Sequence, residues 1–321
     1  MGKESKEIKD VSDLPGVGDK IAEKLISKGY IGLMSIASSS PKELEADAEI
    51  GELTSKKIID KAAEILGIGF EKASDILERR QQIKKISTGS ANLNNLLGGG
   101  IETQSVTEMF GQFGSGKTQI GFQLAINVQL PIERGGLNGS CIYLDAENTF
   151  RPERVAQLAE AIGLDSKKVL ENIYVARCFT TYQQTSLAEG AWKLIKEKNV
   201  KLLIVDSVTS NFRAEYYGRG ELATRQQNLN IHLRTLQKLA EVFNVAVYIT
   251  NQVMSRPDIL FGDPTVPIGG HILGHFSTHR LYLRKSKGDT RIARMVDSPN
   301  LPEGEIIFRI TPEGIKDPEE K

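Results

Sequence analysis

The sequence predicts an α/β protein in which a core with a mostly parallel central sheet follows a small all-α domain. From about residue 88, short apolar runs alternate with stretches of helical periodicity, a pattern typical of parallel strands joined by helices. The first 66 residues carry helical patterns and Gly-rich turns only. A polar, charged stretch follows a Gly break between the two regions. We therefore predict domains at residues 1–66 and 88–321, joined by a linker at 67–87.

The N-terminal domain begins with residues 14–28, where a Gly-rich turn leads into an amphipathic helix and resembles a helix-hairpin-helix. Gly16 and Gly18 would let backbone N–H groups at the helix N-terminus face outward and bind a phosphate of DNA without reading its sequence. Residues 1–75 hold 11 Lys and Arg against 15 Asp and Glu. Because this balance is acidic, a module for protein interaction is the alternative.

The linker contains an aromatic and a small residue, Phe70 and Ala73, in otherwise polar surroundings. Both side chains are candidates for exposure. The alternative is that they pack on the small domain.

The core shows its strands and helices in regular order. Strands are predicted at 104–109, 140–145, 172–176, 201–206 and 244–250. Helices are predicted at 117–130, 153–162, 182–197 and 222–242. Three later runs, near 280–285, 290–296 and 305–310, have no helix between them and predict an antiparallel extension of the sheet.

Composition limits the class of protein. The chain has 321 residues, 40% hydrophobic and 26% charged, as in globular proteins. We find no apolar run near the ~18 residues that span a bilayer, and the charged start MGKESKEIKD is unlike a signal peptide. These features predict a cytoplasmic protein that does not enter a membrane. Cys141 and Cys178 lie far apart and without CxxC spacing, which indicates buried thiols rather than a disulfide or a zinc site.

The strongest motif is a complete GxxxxGK[ST] phosphate loop between a predicted strand and a predicted helix. Its residues are Gly111, Gln112, Phe113, Gly114, Ser115, Gly116, Lys117 and Thr118. Backbone N–H groups of such a loop surround nucleotide phosphates, the lysine reaches the β and γ oxygens, and the Thr hydroxyl binds Mg²⁺. A Gly-rich turn without a nucleotide is a poor alternative.

Three further strands end in polar residues that complete such a site. Asp206 follows the apolar run LLIV and is the expected partner of Mg²⁺ beside the phosphate loop. Glu147 follows another strand and is the candidate base for hydrolysis, with an ordinary loop acid as the alternative. The residues Thr250, Asn251 and Gln252 end the strand VAVYI, and Gln252 would sense the γ-phosphate.

Two long polar loops leave the same edge of the predicted sheet. The first contains Arg213, Arg219 and Arg225, and the second contains Arg256. Although the chain is neutral, with 41 basic and 41 acidic residues, residues 213–294 hold 12 basic against 6 acidic. Arginine donors on two loops favour a nucleic-acid surface over a solvated face.

Three histidines in the second loop and after it, His271, His275 and His279, are spaced by four. No acidic partner follows at ligand spacing, so the pattern does not favour a metal site.

Together these motifs closely resemble the archaeal RadA recombinases and their eukaryotic strand-exchange relatives in the RecA superfamily. The likeness covers nearly the whole chain. Beside the phosphate loop it rests on STGS at 87–90, GGIET at 99–103, DAENTFRPER at 145–154, VDSVTS at 205–210, TNQV at 250–253 and DSPNLPEGE at 297–305.

The resemblance implies a RecA-like ATPase core that uses ATP and Mg²⁺, with Glu147 as the catalytic carboxylate and Arg154 against the adenine. It implies that Gln252 links the γ-phosphate to the second DNA loop, and that Phe70 and Ala73 dock on a neighbouring ATPase domain.

The resemblance further implies that the segment with Asp297 and Pro302 caps the ATP of the adjacent subunit. Asp297 would hold a monovalent cation such as K⁺, and His275 would couple the nucleotide to the order of the loops.

The function expected from these features is a DNA-dependent ATPase, associated with the nucleoid, that polymerises head to tail on single-stranded DNA and exchanges strands with a duplex. Recombination mediators or paralogues are expected partners. The alternatives are a paralogue that regulates recombinase filaments as an accessory protein, and a ring-forming ATPase motor on the same core.

Overall fold

A computed structural model of the chain describes residues 10–255 and 265–319. The chain divides into two compact units, Met1–Gln82 and Ile83–Lys321. In the described part of the chain, no helix is long and apolar enough to cross a membrane.

From residue 10 onward, unit 1 is all-helical and has a small apolar core. After a 3₁₀ turn at Val11–Asp13, its helices are α1 (Asp19–Ser27), α2 (Leu33–Ala37), α3 (Pro41–Ala48), α4 (Glu52–Ile65) and α5 (Ala73–Arg80). Leu25, Ile36, Leu44 and Ile58 are fully buried at its centre. α5 contributes no buried residue, which is why its sequence reads as a polar linker.

Unit 2 is the α/β unit. Its helices are α6 (Ala91–Leu96), α7 (Lys117–Asn127), α8 (Pro152–Ala161), α9 (Ser166–Glu171), α10 (Thr181–Glu197), α11 (Ser210–Glu215), α12 (Leu222–Phe243) and α13 (Gly270–Phe276). Its first seven strands are β1 (Lys85–Ile86), β2 (Ile101–Glu102), β3 (Ser105–Gly111), β4 (Ser140–Asp145), β5 (Ile173–Arg177), β6 (Val200–Asp206) and β7 (Ala246–Asn251). The others are β8 (Val253–Ser255), β9 (Thr265–Pro267), β10 (His279–Lys285), β11 (Thr290–Asp297), β12 (Gly304–Thr311) and β13 (Gly314–Lys316).

A nine-stranded sheet organises unit 2, in the order β13-β12-β11-β10-β3-β7-β6-β4-β5. The six strands β10, β3, β7, β6, β4 and β5 are parallel to one another. β11, β12 and β13 extend the sheet beyond β10 in antiparallel order. The predicted fold class is confirmed: a small helical domain is followed in the chain by a mostly parallel sheet with an antiparallel extension.

Helices cover both faces of the sheet because successive strand residues point to opposite faces. In β6, Leu202 and Ile204 join the apolar cluster under α7 and α8, whereas Leu203 and Val205 join the cluster under α10 and α12. All seven residues of β3 are buried. The strands therefore form a continuous buried layer, from which loops leave at the carboxyl ends of the parallel strands.

Several features differ from the sequence prediction. Two short antiparallel pairs, β1 with β2 and β8 with β9, lie outside the main sheet. Their strands are two or three residues long, too short for a period-2 pattern to be read.

Other elements of the core were also not predicted, namely the short helices α6, α9, α11 and α13 and the strand β13. β10, predicted as part of the antiparallel extension, is antiparallel to β11 but parallel to β3. α5 lies within the predicted linker at 67–87.

Candidate nucleotide and DNA site

The phosphate loop joins the end of β3 to the start of α7. Gly116 has φ +106°, a backbone conformation that disfavours a side chain, and a Cβ at Gly111 would lie 2.1 Å from the Leu283 carbonyl oxygen of β10. Lys117 Nζ donates to the carbonyl oxygens of Gly111 at 2.8 Å and Gln112 at 3.0 Å. Burial lowers the pKa of Lys117, an effect opposed by the carboxylates of Asp206 and Glu147. The loop therefore presents one partly buried ammonium group beside its backbone amides.

Asp206 ends β6 directly beside this loop, and its carboxylate is buried. Oδ2 accepts hydrogen bonds from Thr118 Oγ1 at 2.8 Å, Tyr143 OH at 2.8 Å and Thr149 Oγ1 at 3.1 Å. Oδ1 accepts from Thr250 Oγ1. Four hydroxyl groups from different elements thus fix one carboxylate next to the Thr118 hydroxyl.

Glu147 lies in the loop after β4, and Asp145 builds that loop. The Asp145 carboxylate accepts from the backbone N–H groups of Glu147, Thr149 and Phe150 at 3.1–3.2 Å. Glu147 Oε1 accepts from Gln252 Nε2 at 2.7 Å. Two residues predicted from separate strands are therefore in direct contact, at the same sheet edge as the phosphate loop.

Arg154 lies on α8, which contacts α7, the helix that begins at the phosphate loop. Its Nε donates to Gln119 Oε1 of α7 at 2.9 Å, and its Nη atoms donate to the carbonyl oxygens of Thr311 and Pro312, each at 2.6 Å. Burial lowers the pKa of this guanidinium. Its planar face is consequently held in one orientation.

The chain is similar to known proteins over nearly its whole length. A profile of the Rad51 family matches residues 79–318. The chain belongs to the Rad51 family. A profile described as a SAM-like helix-hairpin-helix tandem matches residues 8–64. The chain is also similar to the DNA repair and recombination protein RadA of Aeropyrum pernix, with 54% identity over 319 residues that cover 99% of this chain and 100% of that protein.

Described residues of the two Arg-bearing loops of this Rad51 family member line one cavity. The first loop runs through α11 and a 3₁₀ turn at Arg219–Glu221 to α12, and the second begins with β8 and returns with β9. Arg256 lies outside the described residues. The cavity, of about 730 Å³, is lined by Arg213, Arg225, Met254, His275, Arg280 and Asp297, among others. It brings basic side chains of the first loop together with His275 and Asp297, which the family resemblance associates with nucleotide coupling and with a monovalent cation, respectively.

Asp297 and Pro302 lie away from the phosphate loop of their own chain. Asp297 is the last residue of β11 and pairs in register with Arg280, near the start of β10. The phosphate loop instead begins at Gly111, which pairs with Leu283, further along β10. Pro302 follows Asp297 in the loop before β12. The structure therefore does not bring these two residues to the site formed by Lys117.

The three spaced histidines do not share one helix. His271 and His275 belong to α13, whereas His279 begins β10. Within residues 10–255 and 265–319, no group of three or more His, Cys, Asp or Glu side chains is placed to hold a metal ion. Both cysteines are buried free thiols.

In unit 1, the residues assigned to DNA contact and assembly are exposed. Gly16 has φ +90°, and Gly18 is the residue before α1, where an added Cβ would face open space. Phe70 is fully exposed and Ala73 begins α5, also exposed. The alternative in which Phe70 packs on the small domain is therefore wrong.

Sequence reasoning missed a buried hydrogen-bond network around Asn251, the residue before Gln252. Asn251 is buried, and its Nδ2 donates to Glu108 Oε1 at 2.8 Å and to the Ile268 carbonyl at 2.7 Å. Its Oδ1 accepts from Thr209 Oγ1 at 2.8 Å. Asn251 thus connects the start of the first loop, after β6, to the end of the second. The signal in the sequence is the pair of adjacent amides at the end of β7, Asn251 within the strand and Gln252 directly after it.

Proposed function

We propose that this chain is an ATP-dependent DNA recombinase that polymerises on single-stranded DNA and catalyses homologous pairing and strand exchange in recombinational repair. The observation that carries the proposal is the contact between Glu147 and Gln252 beside Lys117 and the Asp206–Thr118 pair. This arrangement joins a nucleotide site to the strand that begins the second Arg-bearing loop. The name of the RadA relative, DNA repair and recombination protein, supports the same activity.

The nucleotide part of the proposal assigns each group a role toward ATP. Backbone N–H groups of residues 111–118 and Lys117 bind the phosphates, and Arg154 lies against the adenine. Oxygen donors are the ligands Mg²⁺ prefers, and the Thr118 hydroxyl and Asp206 carboxylate, 2.8 Å apart, fit this ion. When bound, Mg²⁺ neutralises charge on the β and γ phosphates.

Hydrolysis requires a base that takes a proton from water, and we assign this role to Glu147. Water attacks the γ-phosphorus, Glu147 accepts its proton, and the bond from the γ-phosphorus to the bridging oxygen breaks to leave ADP and phosphate. Asp145 fixes the loop through three backbone N–H groups, so the carboxylate of Glu147 approaches from a constant direction.

Gln252 couples the two parts of the site. Its amide donates to Glu147, and the next residue begins β8 of the second loop. A γ-phosphate that attracts the Gln252 amide would release Glu147 and shift the loop that carries Arg256. ATP binding would therefore change the DNA surface formed with Arg213, Arg219 and Arg225.

Two features of the single chain support head-to-tail assembly of copies. Phe70, with Ala73 beside it, offers a fully exposed aromatic side chain to a neighbouring core domain. Asp297 and Pro302 lie away from their own phosphate loop and would cap the ATP of an adjacent subunit, with K⁺ held at Asp297. Such head-to-tail contacts are heterologous and yield a helical filament, or a ring if they close.

The domain roles follow the division at 1–66, 67–87 and 88–321. We assign the exposed turn at Gly16 and Gly18 to a DNA phosphate, with protein contact as its alternative. Single-stranded DNA, duplex DNA, other copies of the chain and mediator proteins or paralogues are the proposed partners.

The accessory regulator remains the competing function, because it would use the same nucleotide site without exchanging strands. The deciding experiment measures strand exchange between a single strand and a homologous duplex, with ATP, with a non-hydrolysable ATP analogue and without nucleotide. We expect exchange with ATP and with the analogue, and its loss in Phe70→Glu. DNA-stimulated ATP hydrolysis without exchange would instead favour the regulator or a ring motor.

A further inference from the structure

His279 joins a buried acidic group to the segment that follows β11. The imidazole is 1% exposed. Its Nε2 lies 3.6 Å from Glu102 Oε2, and its Nδ1 lies 3.0 Å from Ser298 Oγ. A carboxylate beside Nε2 favours a hydrogen on that nitrogen, which leaves Nδ1 to accept from the Ser298 hydroxyl. His279 therefore lies between Glu102 of β2, to which its Nε2 makes no hydrogen bond, and Ser298, the residue next to Asp297.

Glu102 is itself held in place from the other side. Lys85 Nζ lies 3.2 Å from Glu102 Oε1 and donates to the Gly98 carbonyl at 2.6 Å. His279, as the main contributor, and Lys85 hold the pKa of Glu102 at about 2, against the opposing effect of burial. The carboxylate is therefore a charged, fixed anchor for the imidazole.

Ser298 forms the turn that carries the next residues of the segment. Its Oγ accepts from the backbone N–H groups of Leu301 at 3.0 Å and Asn300 at 3.4 Å. Leu301 packs on the main apolar cluster, and a Cβ at Gly98 would lie 2.9 Å from its side chain. The Ser298 hydroxyl therefore helps to position Asn300 and Leu301, the two residues before Pro302.

We propose that His279 is a positioning residue for residues 297–302: it fixes the Ser298 hydroxyl, and through it the segment that completes the ATP site of the adjacent subunit. The inference rests on the proposed function, in which that segment acts on a neighbour. On this inference His279 raises the affinity of the assembled chains for ATP without contacting ATP itself.

The test uses the full-length chain and measures the ATP concentration that gives half-maximal assembly on single-stranded DNA. His279→Gln keeps a polar group toward Glu102 and loses the partner of Ser298, and Ser298→Ala removes the hydroxyl. We expect each to raise the required ATP concentration about 3- to 10-fold, the effect of losing one partly buried hydrogen bond. The double variant should show no further rise, because both changes break the same link. His279→Asn, whose amide can replace Nδ1, should restore most of the affinity.

Two controls separate positioning from loss of stability. Ser140→Ala removes another hydroxyl, which donates to the Lys198 carbonyl at the far end of β4, and should leave the ATP requirement unchanged. In the Phe70→Glu background, where chains do not assemble, His279→Gln should not alter ATP binding to the single chain. An ATP shift of equal size in that background would overturn the inference.

The inference and the proposed function fail in different ways. Normal ATP-dependent assembly of the wild type, with no shift in His279→Gln or Ser298→Ala, overturns the inference alone. Wild-type chains that do not assemble with ATP overturn the proposed function and, with it, the role of His279.

Discussion

Replacing Glu147 with glutamine tests the assignment of the catalytic base. Glutamine has the same shape and keeps an oxygen that can accept from Gln252 Nε2, now at 2.7 Å from Glu147 Oε1. Glu147 is half-buried, so we expect the free energy of unfolding to change by less than about 1 kcal/mol. Glutamine cannot take the proton of the attacking water, and loss of a general base lowers the rate about 10²- to 10⁴-fold.

The assay combines three measurements on Glu147→Gln: phosphate release with saturating ATP and DNA, binding of a fluorescent ATP analogue, and assembly on single-stranded DNA. We expect kcat to fall by the factor above, while nucleotide binding and assembly persist because the phosphate loop is unchanged. Glu241→Gln is a matched control, since Glu241 on α12 also accepts from a glutamine amide, that of Gln237 at 2.9 Å. A kcat within about threefold of the wild-type value, or loss of ATP binding, would refute the reasoning.

Three other predictions test the fold and the assembly surface. Tyr143→Phe removes one hydroxyl from the buried Asp206 carboxylate and should lower the free energy of unfolding by about 1–3 kcal/mol in a urea titration; an unchanged midpoint would contradict this. Phe70→Glu should abolish assembly in light scattering without changing the unfolding midpoint, whereas Leu53→Glu, at another exposed apolar residue, should still assemble. Burial lowers the pKa of His232 to about 4, so its contribution to stability is present above pH 6.5 and is lost as the pH falls toward 4. His232→Gln should flatten that part of a stability–pH curve, and an unaltered slope would argue against a neutral buried imidazole.

The positions of the main strands were predictable because their residues are continuously apolar and end in polar groups. The run LLIVD predicted both β6 and the place of Asp206, and the phosphate loop fixed the order of β3 and α7. Parallel strands bring their carboxyl ends to one sheet edge, so the meeting of Glu147 and Gln252 followed from the fold class. Their direct hydrogen bond did not, because spacing along the chain does not specify side-chain rotamers.

The hydroxyl groups around Asp206 could not be identified from the sequence. Tyr143 and Thr250 occupy strand positions where an apolar residue would satisfy the same pattern. Each is polar because of a partner more than 40 residues away in the chain. His279 likewise has neighbours on other elements, Glu102 on β2 and Ser298 in the segment after β11. Long-range pairing of this kind becomes visible only when the strand order is known.

The separation of residues 297–302 from their own phosphate loop has a consequence for growth and shortening. In the proposed head-to-tail array, every ATP lies between a phosphate loop and the segment of the next copy, so the number of completed sites is always one fewer than the number of copies. At one end, the terminal copy holds ATP that no neighbouring segment 297–302 contacts. At the other end, the segment 297–302 of the terminal copy has no ATP site to complete. The two ends therefore differ in chemistry, and a short array has proportionally fewer completed sites than a long one. Loss of a copy from either end of an open array breaks one completed site, but only one end exposes a bound nucleotide to solvent.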